Sequence, residues 1–241
     1  MLWISAKLRS SGLCRDTDMG ALQSTLIQLA QGLKFTFGIF FFTLIFSIPL
    51  GLLVSKGRMS KIKIVSLIFR LYISILRGTP LMLQLLLVYF GPYYIFGVNL
   101  GSIQVGPFNY RFIATIVAFS LNYAAYFAEI FRGGIQSMSK GQYEAATVLG
   151  FSKAQTYFKI ILPQVVKRVL PSVSNEIITL VKDTSLAQVL SVTEMFTKAS
   201  AAASAQVSVV PFIVAGAFYY AMNLIIETIL NRVEKSMSYY S

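Results

Sequence analysis

Long, nearly uncharged apolar stretches constrain the fold of this chain more than any other feature of its sequence. The stretch 33–54 carries a single charged residue, Lys34, close to one end. A helix needs about 20 mainly apolar residues to cross the hydrocarbon of a bilayer. Charged residues make up 12% of the chain, roughly half of the share that a soluble domain carries. The sequence therefore predicts an all-α integral membrane protein.

Further apolar segments complete a prediction of five transmembrane helices. They lie at 64–96, 112–131, 169–192 and 208–230. The segment 64–96 is long for one straight span, and the sequence Arg77-Gly78-Thr79-Pro80 interrupts it. Glycine followed closely by proline breaks the helical hydrogen-bond ladder. Broken backbone survives at membrane depth only inside protein or beside a cavity, so we predict a broken helix at this point.

The segments outside these spans divide the chain into three parts. Residues 32–235 form the predicted transmembrane domain. Residues 1–31 are mixed in character and lack the apolar core of a secretory signal, so we interpret them as a peripheral tail. Residues 236–241 form a second tail, which we place in the cytoplasm.

The basic residues predict the orientation. The formal net charge is +12, and the basic side chains lie mainly in the loops 55–63 and 132–168. Cytoplasmic loops of membrane proteins carry an excess of lysine and arginine. We therefore predict a multi-pass protein of the cytoplasmic (cell) membrane, with its N-terminus outside and its C-terminus in the cytoplasm. Because the charges lie between apolar runs, the same distribution argues against nucleic acid as a partner.

The residue types of the chain exclude several kinds of chemistry. The single cysteine, Cys14, allows no intrachain disulfide, and the absence of histidine argues against a zinc site. The sequence contains no G-x-x-x-x-G-K-[ST] loop for nucleotide binding. We find no nucleophile with a matching base. The chain is therefore predicted to be no enzyme and to hold no cofactor of its own.

The predicted cytoplasmic loop between the third and fourth spans contains two short helices and a sharp turn. Residues 142–149 are good helix formers, and Gly150 follows where a left-handed residue would end the helix. Ser152 and Gln155 have capping-box spacing, which starts a second helix that Pro163 limits. The apolar residues at the turn either dock into a groove on another protein or pack under the bundle.

This loop resembles the EAA motif of bacterial ABC importer permeases, whose form is E-A-A-x3-G-x9-I-x-L-P. The chain has every element at that spacing, from Glu144-Ala145-Ala146 through Gly150 to Ile160, Leu162 and Pro163. In that family the motif forms the coupling helix, which docks on the ATPase subunit. The resemblance implies this coupling role for Glu144, Ala145, Ala146, Leu149, Gly150 and Phe151.

Three more segments resemble the subfamily that imports polar amino acids: 75–81, 126–132 and 181–186. The resemblance extends from about residue 32 to the C-terminus and implies the five-helix, MetI-like fold with a cytoplasmic coupling helix. It also implies a second permease subunit, identical or related, in the membrane lipid. The other implied partners are two ATPase subunits, which bind ATP and magnesium, and an extracellular solute-binding protein.

A polar amino acid that crosses the membrane needs partners for its carboxylate and its ammonium group. The helix N-terminus after the break favours a carboxylate, and Arg77 adds positive charge unless it is a structural arginine. In the fourth span, Asn175, Thr179 and Lys182 share one helix face, and Glu176 and Asp183 share the neighbouring face. The charged and amide side chains among them either line a cavity or pair internally. The predicted pathway residues are Arg77, Gly78, Thr79, Pro80, Gln84, Asn122, Tyr126, Asn175, Glu176, Lys182, Asp183 and Ser185.

Two other classes of function are weighed against this one. A self-sufficient secondary transporter or channel predicts internal repeats with two matched broken helices, whereas the sequence has one clear break. An intramembrane enzyme or assembly scaffold requires paired acids, or a nucleophile and a base, in one span. The EAA segment argues against both classes. Glu129 stands three residues before Arg132, which predicts an intrahelical ion pair.

Overall fold

The computed structural model, which describes residues 13–237 and the side chains of 19–237, is almost wholly helical. Its α-helices are α1 (Leu13–Arg58), α2 (Lys63–Gly78), α3 (Leu81–Phe96), α4 (Tyr110–Gln136), α5 (Lys140–Val148), α6 (Lys153–Gln155), α7 (Leu162–Asp183), α8 (Met195–Gln206) and α9 (Val210–Met237). A π-helical turn, Thr156–Ile161, joins α6 to α7, and a 3₁₀ helix, Thr184–Leu190, follows α7. Between α3 and α4, the strands β1 (Gln104–Val105) and β2 (Phe108–Asn109) pair antiparallel.

The first helix, α1, is longer than the predicted span. Its apolar part, Met19–Arg58, has 40 residues, which at 1.5 Å per residue span about 60 Å, twice the thickness of the hydrocarbon. Buried residues recur at helical spacing in its first half, at Thr25, Leu29, Gly32 and Thr36. The predicted peripheral tail therefore needs correction, because residues 19–31 continue the first helix and pack on the protein. Residues 1–12 lie outside the described part of the chain.

Within the described residues, three helices are long and apolar enough to cross a bilayer: Met19–Arg58, Tyr110–Gln136 and Val210–Met237. The bent pair of α2 and α3 makes a fourth span when its halves are taken together. The predicted span 169–192 does not meet this criterion because polar residues interrupt it. Its α-helix ends at Asp183, and the rest of the range is mainly 3₁₀ helix.

The central helix of the bundle is α4, where Phe119, Tyr123 and Phe127 are fully or almost fully buried. The first helix crosses it at Gly51, where a Cβ atom would lie only 2.8 Å from the Cβ of Phe127. Small residues permit this close approach of two membrane helices, and the gain in van der Waals contact stabilises the pair.

The second predicted span is broken, as the sequence indicates. The chain bends by 112° between α2 and α3. The break is narrower than the predicted 77–80, because α2 continues through Gly78 and only Thr79 and Pro80 are extended. A proline disfavours the helical conformation of the residue before it, so Pro80 ends α2 at Gly78 and starts α3 in a new direction.

The loop after α4 has the predicted start and turn but a different end. Gly150 has a φ of 78°, and Ser152 and Gln155 form the predicted capping box. The sequence predicted that Pro163 limits the second helix, and this prediction is wrong. The chain instead continues through the π turn into α7. The amide of Leu162 donates to the carbonyl oxygen of Tyr157, five residues back. This wider turn leaves room for a proline, which lacks an amide hydrogen.

A buried glutamate stands at the start of α8, a helix that the sequence analysis did not predict. Glu194 is fully buried and caps α8, since its carboxylate accepts hydrogen bonds from the amides of Phe196 (2.7 Å) and Thr197 (2.6 Å). It also accepts a hydrogen bond of 3.0 Å from the hydroxyl of Tyr219 in α9. The carboxylate therefore joins α8 to α9.

The close contact between α1 and α8 gives a prediction about stability. A Cβ atom on Gly32 would lie 2.7 Å from the Cα of Met195, which is backbone and cannot rotate away. We expect Gly32→Ala to lower the free energy of unfolding by about 1–3 kcal/mol, the usual cost of overpacking. Thermal unfolding of the purified protein in detergent measures this. Gly216→Ala is the matched control, since nothing lies within 4 Å of its Cβ position, and equal midpoints for both variants would contradict the prediction.

Candidate functional site

The break between α2 and α3 is held by two amide side chains. The amide nitrogen of Gln84 donates to the carbonyl oxygens of Leu76 (2.9 Å) and Thr79 (3.1 Å) and to the hydroxyl of Thr79 (2.8 Å). Asn122 of α4 donates to the same Leu76 carbonyl (3.0 Å) and to the Gln84 side-chain oxygen (2.9 Å). These bonds satisfy backbone groups that the bend leaves without helical partners.

A cavity of about 240 Å³ lies beside this break. Residues of the break, of α4 and of α7 line it together, so three separate helical elements converge on one space. Its lining is Thr79, Leu81, Asn122, Tyr123, Tyr126, Glu176, Thr179 and Asp183. Three residues of this lining, Leu81, Tyr123 and Thr179, are not among the predicted pathway residues. Thr179 was predicted to share a face with Asn175 and Lys182, but it lines the cavity together with Glu176 and Asp183.

Two carboxylates of α7 face this cavity. Asp183 accepts a hydrogen bond of 2.7 Å from the hydroxyl of Tyr123. Glu176 is half-buried and, within the described residues, makes neither a hydrogen bond nor an ion pair. Lys182 forms no salt bridge with either acid among the described residues, although its positive charge lies close enough to act on Asp183. Two carboxylates therefore line the cavity, and neither forms a salt bridge within the described residues.

Positive charge lies next to the cavity on its α2 side. The guanidinium carbon of Arg77 lies 5.0 Å from the ring centre of Tyr126, in a cation–π contact. Tyr126 lines the cavity. The first turn of α3, which begins at Leu81, adds the positive end of a helix dipole. Opposite charges thus flank one space.

The remaining predicted pathway residues lie elsewhere. Asn175 and Lys182 are exposed and do not line the cavity. The hydroxyl of Ser185 donates a hydrogen bond of 2.8 Å to the carbonyl oxygen of Lys182. Gly78 and Pro80 flank Thr79 at the break, outside the cavity lining. The predicted pair of Glu129 and Arg132 is present, with a shortest N–O distance of 2.6 Å.

The predicted coupling segment presents an apolar tip. Val148 is 87% exposed and Leu149 is 73% exposed, whereas Ala146 is buried. Glu144, Ala145 and Gly150 are exposed, and Phe151 is half-buried. Gln142 and Gln164 exchange hydrogen bonds of 2.9 and 2.6 Å, which tie α5 to the start of α7. A force on α5 would therefore reach the helix that carries Glu176 and Asp183.

The amide network predicts a test of the break. Replacing Gln84, which is 7% exposed, with leucine removes four hydrogen bonds and leaves polar groups of the bend without partners. We expect Gln84→Leu to lower the free energy of unfolding by about 2 kcal/mol. Gln206→Leu removes one hydrogen bond, to Thr25, and serves as the control. Chemical denaturation of both variants measures the difference, and a smaller loss in Gln84→Leu would contradict the role of the network.

Comparison with known proteins gives a consistent family. Residues 47–239 match the family of binding-protein-dependent transport system inner membrane components. The L-cystine transport system permease protein of Bacillus subtilis (strain 168) is 33% identical over 214 residues, 88% of this chain and 87% of its own length. The arginine transport system permease protein of the same organism is 35% identical over 221 residues, 91% of this chain and 97% of its own length.

Solved structures agree with this result. The crystal structure of an amino acid ABC transporter with histidines is 32% identical, has a TM-score of 0.79, and the match covers 89% of this chain and 96% of that one. An inward-facing methionine ABC transporter is 17% identical, has a TM-score of 0.61 and covers 90% and 95%. At that identity the likeness shows the fold alone, and it confirms the MetI-like architecture.

Proposed function

Since this chain belongs to the family of binding-protein-dependent transport system inner membrane components and is the permease subunit of an amino-acid ABC importer, we propose how its parts divide the work. The substrate crosses at the cavity beside the α2–α3 break, and the tip of α5 receives the ATPase subunit. ATP hydrolysis resides in that separate subunit, which binds the nucleotide and magnesium.

The cavity carries this proposal, because it offers a partner for each charge of an amino acid. Glu176 makes no hydrogen bond or salt bridge with the described residues and accepts the ammonium group of the substrate. The carboxylate of the substrate lies toward Arg77 and the N-terminus of α3, where helix amides point at an anion. Tyr123 and Thr79 supply hydroxyl groups to the lining. The relatives named above transport amino acids with such groups.

The coupling role rests on the exposure of the apolar tip of α5. Val148 and Leu149 are large, apolar and almost fully exposed, which is typical of a surface that a partner covers. The left-handed Gly150 gives the sharp turn that presents them. Docking of a short helix into a groove of the ATPase subunit covers these side chains, and Gln142–Gln164 transmits its movement to α7.

The proposed assembly contains a second permease subunit and an extracellular solute-binding protein. In the most apolar 18-residue stretch of α9, only 11% is buried within this chain. Lipid or the second permease subunit therefore covers the rest of this stretch. The basic loops at 55–63 and 132–168 support a cytoplasmic location for α5 and an N-terminus outside. The docking surface on α5 then faces the cytoplasm, where we place the ATPase subunit.

Reconstitution tests this function. The chain is purified with its cognate ATPase subunit and inserted into liposomes, with the solute-binding protein and a labelled amino acid supplied on one side. We expect uptake that requires ATP and the binding protein. Uptake that continues without the ATPase subunit would instead identify a self-sufficient secondary transporter.

A further inference from the structure

A polar stripe runs along α2, away from the break. It consists of Lys63, Ser66, Arg70, Ser74 and Arg77, spaced three or four residues apart. With about 100° per residue, these five side chains fall within a sector roughly 80° wide. The stripe begins at the basic loop 55–63 and ends at Arg77, beside the cavity.

The rest of α2 has two further faces of different character. On one side Ile73 is buried, and the hydroxyl of Tyr72 donates 2.7 Å to the carbonyl oxygen of Leu121 in α4. On the other side Ile68 and Ile75 are each 59% exposed, as residues that meet lipid are. The polar stripe lies between the packed face and the apolar exposed face.

Arg70 is the residue that a purely structural account of this stripe leaves unexplained. It is exposed and lies about 11 Å from either end of α2. Among the described residues, no hydrogen bond, ion pair or ring contact involves its side chain. An arginine inside a membrane-spanning segment is costly unless it pairs or faces a water-filled cavity. Its partner therefore lies outside the described chain.

From this placement we infer that the stripe faces a water-filled exit path, along which Arg70 contacts the carboxylate of the substrate between the cavity and the cytoplasm. This inference rests on the proposed function and extends it, since nothing else assigns a role to Arg70. Charge complementarity favours this occupant, because an amino acid carries a carboxylate. Arg77 and Arg70 stand two turns apart, so the anion passes from one guanidinium to the next.

Thiol labelling tests whether the stripe faces water. In a Cys14→Ser background, Ser74→Cys places a thiol in the stripe, and Ile75→Cys places one at nearly the same depth on the apolar face. The complex with the ATPase subunit, in lipid nanodiscs, is treated with a negatively charged, membrane-impermeant methanethiosulfonate. Because only an ionised thiol reacts, we expect Ser74→Cys to react at least about tenfold faster, as read by mass spectrometry of this chain. Equal rates, or a faster reaction at Ile75→Cys, would overturn the inference.

Transport measurements test the contact itself. We expect Arg70→Gln to lower uptake about tenfold, the effect of one lost charge-assisted contact, and Arg70→Lys to retain most of it. Binding of the ATPase subunit stays unchanged in both variants. Normal uptake by Arg70→Gln would overturn the substrate contact.

The failure of this inference is distinct from the failure of the proposed function. If the wild-type complex shows no ATP-dependent uptake, the proposed function is wrong. If it transports normally while the labelling rates are equal, only the exit path is wrong.

Discussion

Two carboxylates at the tip of α5, introduced as Val148→Asp together with Leu149→Asp, will lower ATP-driven uptake by about 100-fold. An apolar groove on the ATPase subunit would have to bury these charges without partners, which costs several kcal/mol, and about 2.7 kcal/mol corresponds to 100-fold. Both positions are exposed, at 87% and 73%, so the membrane-inserted fold stays intact. Co-purification of the ATPase subunit and uptake into liposomes measure the effect.

The control for this prediction places one aspartate at a different exposed valine. Val207 is 93% exposed and lies between α8 and α9, far along the chain from α5. Val207→Asp should leave ATPase binding and uptake at the wild-type level. If the α5 variant retains its ATPase subunit and its uptake, α5 does not couple the two proteins.

Glu176→Gln will have the second large effect. Removing the negative charge that faces the cavity leaves the substrate ammonium without a desolvated partner, a loss of about 2–5 kcal/mol at a buried charge pair. We expect uptake to fall by about 100-fold, while the ATPase subunit stays bound because α5 is unchanged. Uptake at several substrate concentrations measures this loss.

A second glutamate on a membrane helix serves as the control. Glu227 of α9 is exposed and does not line the cavity, so Glu227→Gln should transport like the wild type. Equal uptake by the two variants would show that Glu176 does not contact the substrate and would move the pathway away from α7.

Features that depend on a few neighbouring residues were predictable from the sequence. The break at Thr79-Pro80, the left-handed Gly150 and the capping box of Ser152 and Gln155 are set by local backbone preferences. The ion pair of Glu129 and Arg132 follows from helical spacing. Such features need no knowledge of which helices meet.

Features that depend on distant residues were not predictable in this way. Glu194 caps α8 from inside the protein, and glutamate is not a typical N-cap residue. The first half of α1 is mixed in character in the sequence, yet it is helical and contacts α8, where Gln206 donates a hydrogen bond to the hydroxyl of Thr25. The predicted end of the second loop helix was wrong, because a π turn precedes Pro163 and lets the helix continue through this proline.

The sequence by itself determined that the chain crosses a membrane, where its second span breaks and which loop resembles the EAA motif, because each of these features lies within one segment. Only the tertiary structure decided which face of α7 lines the cavity. That face is set by α4, whose Tyr123 holds Asp183, and by the bend that Gln84 and Asn122 stabilise. The face of α7 with Asn175 and Lys182 and the face with Glu176 and Asp183 are both polar, so no pattern within α7 distinguishes them. Packing against other helices determines which face lines the cavity.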